Sequence, residues 1–257
     1  MHPSFEVFGL EIHFYSIFFM LGLVAGCLMF AYGNKKMKRY RDKLLDCYLY
    51  IMVGIIVGAK LLFLLVNIKD YIADFSAIWT DLRRGFLFYG GLIGAILTAF
   101  LYFRKKKLPL WHFVDAAAPA IPLGHAIGRI GCIFAGCCYG APTDLPWGII
   151  YPASCPIAPS GVALHPFPIY ELIYNLLLFG FLVLIRNRIK VTGRLMTIYL
   201  MGYSIGRFGL DYLRGDYYQN IWIFSTAQII SIGLLIVGVA AYFLLTLKKE
   251  RTLDEYQ

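Results

Sequence analysis

Residues 112–140 read HFVDAAAPAIPLGHAIGRIGCIFAGCCYG. The apolar part, 112 to 134, has the length of a helix that crosses roughly 30 Å of hydrocarbon, which takes about 20 residues. It nevertheless carries Arg129 toward its end and runs into a tail rich in cysteine and glycine. A guanidinium inside an apolar span costs at least about 2.5 to 3.5 kcal/mol on insertion scales, so it normally faces a partner or a wet cavity. Arg129 is therefore a functional candidate from its position alone.

Six further segments have similar length and apolarity, near 12–32, 44–66, 86–103, 167–185, 195–213 and 225–247. The chain has 257 residues, 60% of them hydrophobic and 15% charged, with a mean hydropathy of +0.67. Soluble domains are far more polar. The fold class that follows is all-α, a polytopic membrane protein with about seven transmembrane helices, and residues 1–257 are expected to form a single integral membrane domain. The N-terminal stretch MHPSFEVFGLEIHF has no Lys or Arg ahead of the first span, unlike a cleavable signal peptide, so that span is expected to remain.

The net charge of +9 raises the question of an anionic partner, and the distribution of the basic residues answers it. Segments 34–43, 104–107 and 186–194 and the tail 248–257 hold seventeen of the 24, all in alternate connections. The opposite connections hold four, Lys69, Arg83, Arg84 and Arg214. Such a bias places the N-terminus outside and the C-terminus in the cytoplasm. It also removes a nucleic-acid partner, because charges spread along one membrane face are topology signals rather than a binding patch. Membrane lipid is the partner expected for them.

Three basic residues remain inside the spans or at their ends: Lys60, Arg129 and Arg207. Lys60 could equally snorkel to the interface. Arg207 lies in GYSIGRFGLDYLR (202–214), where Arg207, Asp211 and Arg214 share one face at helical spacing and Tyr203 sits one turn earlier. Asp211 could simply neutralise Arg207. Two arginines from separate spans reaching the same side of the membrane instead suit a phospholipid headgroup, because guanidinium donors match phosphate oxygens in pairs.

Tyr15 and Tyr89 lie at span ends, where tyrosine is commonly an interfacial anchor. Glu171, in HPFPIYE (165–171), is expected within the first turn of the fifth span, favouring the helix dipole or orienting an arginine. GxxxG spacings at Gly22 and Gly26, Gly54 and Gly58, Gly90 and Gly94, and Gly202 and Gly206 read as helix packing. Of the six cysteines, Cys27 and Cys47 fall in early spans, whereas Cys132, Cys137, Cys138 and Cys155 cluster toward the outer face. Disulfides or inert thiols are the expected state of that cluster, ahead of a zinc site with His125 or His165, for which no recognised ligand spacing is present.

Taken in order, HAIGRIGCIFAGCCYG (125–140), FYGGLIG (88–94), VGAKL (57–61), HPFPIYE and GYSIGRFGLDYLR resemble the segments of the prolipoprotein diacylglyceryl transferase family. The resemblance implies an enzyme of the bacterial inner membrane with seven spans and its active site near the outer leaflet. It implies transfer of the diacylglyceryl group of phosphatidylglycerol to the lipobox cysteine of a prolipoprotein signal peptide, without metal or diffusible cofactor. Arg129 and Arg207 align with the family's essential arginines, and Tyr15, Tyr203, Asp211, Arg214 and Gly140 occupy further functional positions.

The resemblance is imperfect at five places. Tyr89 stands at the histidine of the family's HGG element, Cys132 and Ala135 at two asparagines, Cys137 at the signature glutamate, and Lys60 at an arginine. A phenol ionises near pH 10 against about 6.5 for an imidazole, so tyrosine is a poor general base near neutrality. With these departures, the resemblance assigns catalysis to Arg129, Arg207 and Tyr89. It assigns substrate binding to Tyr15, Lys60, Cys132, Cys137, Gly140, Glu171, Tyr203, Asp211 and Arg214. A diverged paralogue acting on another acceptor, a lipid-binding protein without turnover and a membrane thiol-redox protein are the alternatives these departures leave open.

Overall fold

The computed structural model describes residues 4–7, 10–33, 35–73, 85, 87–152, 155, 157–215, 220–221 and 223–247. Seven long helices fall on the seven apolar segments: α1 (Phe14–Tyr32), α2 (Arg41–Val66), α4 (Phe88–Lys106), α5 (Leu110–Ala135), α6 (Phe167–Ile185), α7 (Arg194–Leu210) and α8 (Thr226–Leu247). Among the described residues there are also a short α3 (Ile68–Ala73), two 3-10 turns at Lys35–Tyr40 and Asp211–Leu213, and two small hairpins. The hairpins pair β1 (Ser4–Val7) with β2 (Leu10–His13), and β3 (Asn220–Ile221) with β4 (Phe224–Ser225).

Five of these helices are long and apolar enough to cross a membrane: α1, α2, α5, α6 and α8. The other two differ for reasons visible in their sequences. Helix α4 ends in Arg104, Lys105 and Lys106, which shortens its apolar part, and α7 has only 17 residues with Arg207 in its last turn.

The chain divides into two compact units, one of Lys35–Leu110 and one of Met1–Asn34 with Trp111–Glu255. The first is an antiparallel pair of helices. A Cβ added at Gly58 of α2 would meet the carbonyl oxygen of Gly90 in α4, and one added at Gly94 would meet that of Gly54, so both GxxxG pairs bring backbone against backbone. Further along, the Tyr102 hydroxyl donates to the Lys43 carbonyl at 3.2 Å. Lys60 donates its ammonium to the Gly85 carbonyl at 3.1 Å and lies over the Phe63 ring, so its side chain is held within this unit.

In the second unit, α1 runs antiparallel to α5. A Cβ at Gly22 would stand 2.6 Å from the Gly124 carbonyl oxygen, and one at Gly131 would stand 3.0 Å from the Tyr15 Cα. Phe14 and Phe18 of α1 stack on Phe134 at the end of α5. Helices α6 and α7 are also antiparallel, with Gly206 against the Tyr174 ring and Gly202 against Leu178. Ala118, Leu178, Leu182, Leu195 and Tyr199 form a buried core between α5, α6 and α7.

Helices α5 and α7 run in the same direction and in register. Asp115 meets the start of α7, and the His125 ring lies tilted against Tyr203 with ring centroids 5.9 Å apart. Continuing that offset brings Arg129 level with Arg207.

The register is pinned at its lower end by Asp115, whose carboxylate accepts the Gly193 N–H at 2.6 Å and the Met196 N–H at 3.0 Å. Gly193 itself supplies no side-chain cap and has φ +90°, so the cap for α7 comes from another helix. Asp115→Ala is expected to cost about 1 to 2 kcal/mol, the usual cost of losing an N-cap. A lowered unfolding temperature of the detergent-solubilised protein would register it, and an unchanged one would contradict the capping role.

Candidate functional site

Parallel register alone would leave Arg129 and Arg207 as two like charges at the same depth. Glu171, one turn and one residue into α6, resolves this. Its Oε2 lies 2.7 Å from Arg129 Nε and its Oε1 accepts from Arg207 Nη1 at 2.9 Å. The side chain of Glu171 is 2% exposed, against 15% for Arg129 and 11% for Arg207. Glu171 thus lies just past the first turn where sequence had placed it. Its partner is the arginine pair rather than the helix dipole.

The Arg129 Nε–H points at His125 Nε2, 3.1 Å away and one turn back on α5. The Glu171 contact is accordingly an ion contact off that donor's axis, which is why Glu171 Oε2 counts as lacking a well-aligned hydrogen bond despite its short distance to Arg129. With Nε2 accepting, the ring proton of His125 belongs on Nδ1. His125 entered the sequence reading only as a possible metal ligand. Its i, i+4 spacing to Arg129 was the available signal for the role it has here.

Arg207 has a second counterion. Its Nη2 lies 3.3 Å from Asp211 Oδ1, as the helical spacing anticipated. Asp211 is buried and accepts from the Ser225 hydroxyl at 2.6 Å. Ser225 caps α8: its Oγ accepts the Gln228 N–H at 2.8 Å, while Gln228 Oε1 accepts the Ser225 N–H at 3.0 Å. This reciprocal capping box was written in the sequence as S-T-A-Q and passed unread. It fixes Asp211, and through it Arg207, to the start of α8.

The third basic residue does not continue the helical face. Helix α7 ends at Leu210, a 3-10 turn covers Asp211–Leu213, and Arg214 is extended and bridged to Gly140. The departure from helix corrects the expected shared face at i+7. The destination is nevertheless the same, since the Arg207 and Arg214 guanidiniums each lie 5.7 Å from the centre of the buried Phe167 ring. Three guanidiniums and two carboxylates thus leave one formal positive charge. Gly140 holds the bridge through close backbone approach, and its N–H donates to His165 O at 3.0 Å.

Tyr203 stacks on Tyr199 and lies tilted against the His125 ring, on the face that leads to the arginines. Tyr15 begins α1 beside Gly131, two residues beyond Arg129. Tyr89 and Lys60 belong to the other compact unit, where Tyr89 is half exposed on the first turn of α4.

All six cysteines are free thiols, and the sulfur atoms of Cys132, Cys137 and Cys138 lie within 4.8 Å of one another. Arg129 Nη1 is 3.9 Å from Cys132 Sγ. Hydrogen bonds from Cys132 and Cys137, with Arg129 and Arg214 adding to them, push the Cys138 thiol well below its usual range. The same hydrogen bonding raises the Cys137 thiol above its usual range. Cys155 donates to the Gly136 carbonyl at 3.7 Å and stands outside that triangle.

A sequence model of the family described as Prolipoprotein diacylglyceryl transferase matches residues 3–244. The chain belongs to this family. Among curated relatives, the phosphatidylglycerol--prolipoprotein diacylglyceryl transferase of Clostridium tetani is 37% identical over 93% of this chain and 95% of its own. A protein of Clostridium perfringens whose name adds the number 2 is 36% identical over 97% of both chains. The transferase of Clostridioides difficile is 32% identical over 98% of both. A buried carboxylate gripping two arginines holds positive groups in place, which is what anion binding requires.

Proposed function

We propose that this chain transfers the diacylglyceryl group of phosphatidylglycerol to the lipobox cysteine thiol of a prolipoprotein and releases glycerol phosphate. The observation that carries the reading is the arginine pair: Arg129 and Arg207 come from separate helices and meet on one buried carboxylate, with Arg214 beside them. Each guanidinium has five N–H donors, more than its contacts to Glu171, Asp211 and His125 engage, so donors remain for phosphate oxygens.

The reaction forms a C–S bond from the peptide thiolate to the terminal glyceryl carbon and breaks the C–O bond to phosphate. The electron pair of that bond passes to the phosphate oxygen, and the thiol proton goes to a base or to water. Charge therefore grows on the departing phosphate. Arginines fixed in a partly dry site stabilise it without reorganising as the bond breaks. Glu171 and Asp211 serve as positioning residues for the two arginines, and Tyr15 and Tyr203 flank the lipid on either side of them.

The same reading has seven spans in a bacterial inner membrane, α4 and α7 among them, with the N-terminus outside and one integral domain. The charge bias between alternate connections supports that orientation. Detergent-purified protein incubated with phosphatidylglycerol labelled in its headgroup glycerol and a lipobox peptide is expected to yield a thioether peptide and labelled glycerol phosphate. Folded protein that yields neither would overturn the proposal.

A further inference from the structure

Two of the three clustered thiols, Cys132 and Cys137, lie where the resemblance places an asparagine and a glutamate, and the phosphate chemistry above does not use any of the three. Their geometry is specific. After α5 ends, Gly136 takes φ +62° and Cys138 φ +56°, a left-handed conformation that a residue with a side chain seldom adopts. The two turns fold the chain back on its own helix end, where the Cys137 N–H donates to the Cys132 carbonyl at 3.3 Å and the Cys137 thiol also approaches that carbonyl. Adjacent Cys137 and Cys138 can then both present sulfur to Cys132. Backbone strain of this kind persists where the surroundings require it, and it is a common accompaniment of function.

We propose that Cys132, Cys137 and Cys138 bind one thiophilic metal ion of the zinc class, with three thiolates from this chain and one coordination position left over. Zinc–sulfur bonds of about 2.3 Å in tetrahedral geometry put sulfurs about 3.8 Å apart, so atoms already within 4.8 Å close on an ion by small side-chain rotations. An all-sulfur donor set selects soft or borderline ions such as zinc and excludes magnesium and calcium, which need oxygen ligands. Binding releases the thiol protons. Three thiolates around a divalent ion carry one net negative charge, and Arg129, 3.9 Å from Cys132, is positioned to balance it. The loaded cluster would thereby return to the arginine site the negative charge that Cys137 removes from the family's glutamate position. That last consequence rests on the transferase reading, whereas ion binding does not.

The test uses the full chain in detergent, reduced and stripped with a chelator, and titrated with cadmium as a spectroscopic substitute for zinc. One ion per chain is expected, with a cadmium–thiolate charge-transfer band in the near ultraviolet. Alkylation mapped by mass spectrometry should show Cys132, Cys137 and Cys138 at least tenfold protected by zinc while Cys155 labels at its original rate. Cys138→Ser should abolish the band, and Cys155→Ser should retain it. Absence of the band from wild-type protein that still unfolds cooperatively would overturn the proposal. Equal protection of Cys155, or a disulfide between any two of the three that resists reduction, would do the same. No substrate enters these measurements, so their failure is distinct from a failure of the transferase assay.

Discussion

Arg207→Ala should lower thioether formation by about 10²- to 10³-fold, the usual effect of deleting one preorganised donor to a developing oxyanion, and Arg129→Ala should do the same. The two substitutions should differ in what they leave behind. Removing Arg207 leaves Asp211 with the Ser225 hydroxyl as its partner and Glu171 with Arg129, so each carboxylate keeps a contact. Removing Arg129 leaves Glu171 with Arg207, and frees His125 and Cys132 from their shared donor. Arg207→Lys should recover little, because an ammonium cannot hold Glu171 and Asp211 at once while presenting a planar edge to phosphate. Headgroup-release rates measured on the variants, beside their unfolding temperatures, separate catalysis from folding. Near wild-type turnover in either alanine variant would remove the arginines from the mechanism.

The helices and the arginines were legible in the sequence because each depends on a strong local signal. A run of about 20 apolar residues has one stable form in hydrocarbon, and a charge within it stands out against that background. The GxxxG pairs were legible for the same reason, since a glycine on a helix face leaves room for one particular neighbour. Glu171 was only half readable: its segment marked it, but its twofold grip depends on α6 packing against both α5 and α7, and nothing in residues 165–171 encodes that. Arg214 shows the opposite failure. Helical spacing was extended past Leu210, and the chain instead changed to a 3-10 turn and then an extended bridge to Gly140. The thiol triangle was unreadable because it depends on Cys138 adopting positive φ, which no cysteine announces.

The carboxylate between the arginines leads to the second large effect. Glu171→Gln keeps the shape of the side chain and removes the charge that both guanidiniums share. Taking one partner from a buried ion pair typically costs about 3 to 5 kcal/mol, because the remaining charge stays desolvated and uncompensated. Here two cations would face each other across an amide at 11% and 15% exposure, so a loss in that range is expected, with a matching fall in unfolding temperature. Turnover should fall as well, since Arg129 would lose the contact that fixes its height against Arg207. The decisive measurement is the double variant. If repulsion between the arginines causes the instability, Glu171→Gln combined with Arg207→Ala should be less destabilised than the two single effects added together, because one of the two repelling charges is gone. Additive losses would mean that the two changes do not couple and that repulsion between the arginines is not what the carboxylate offsets; the arginines would then owe their positions to their helices.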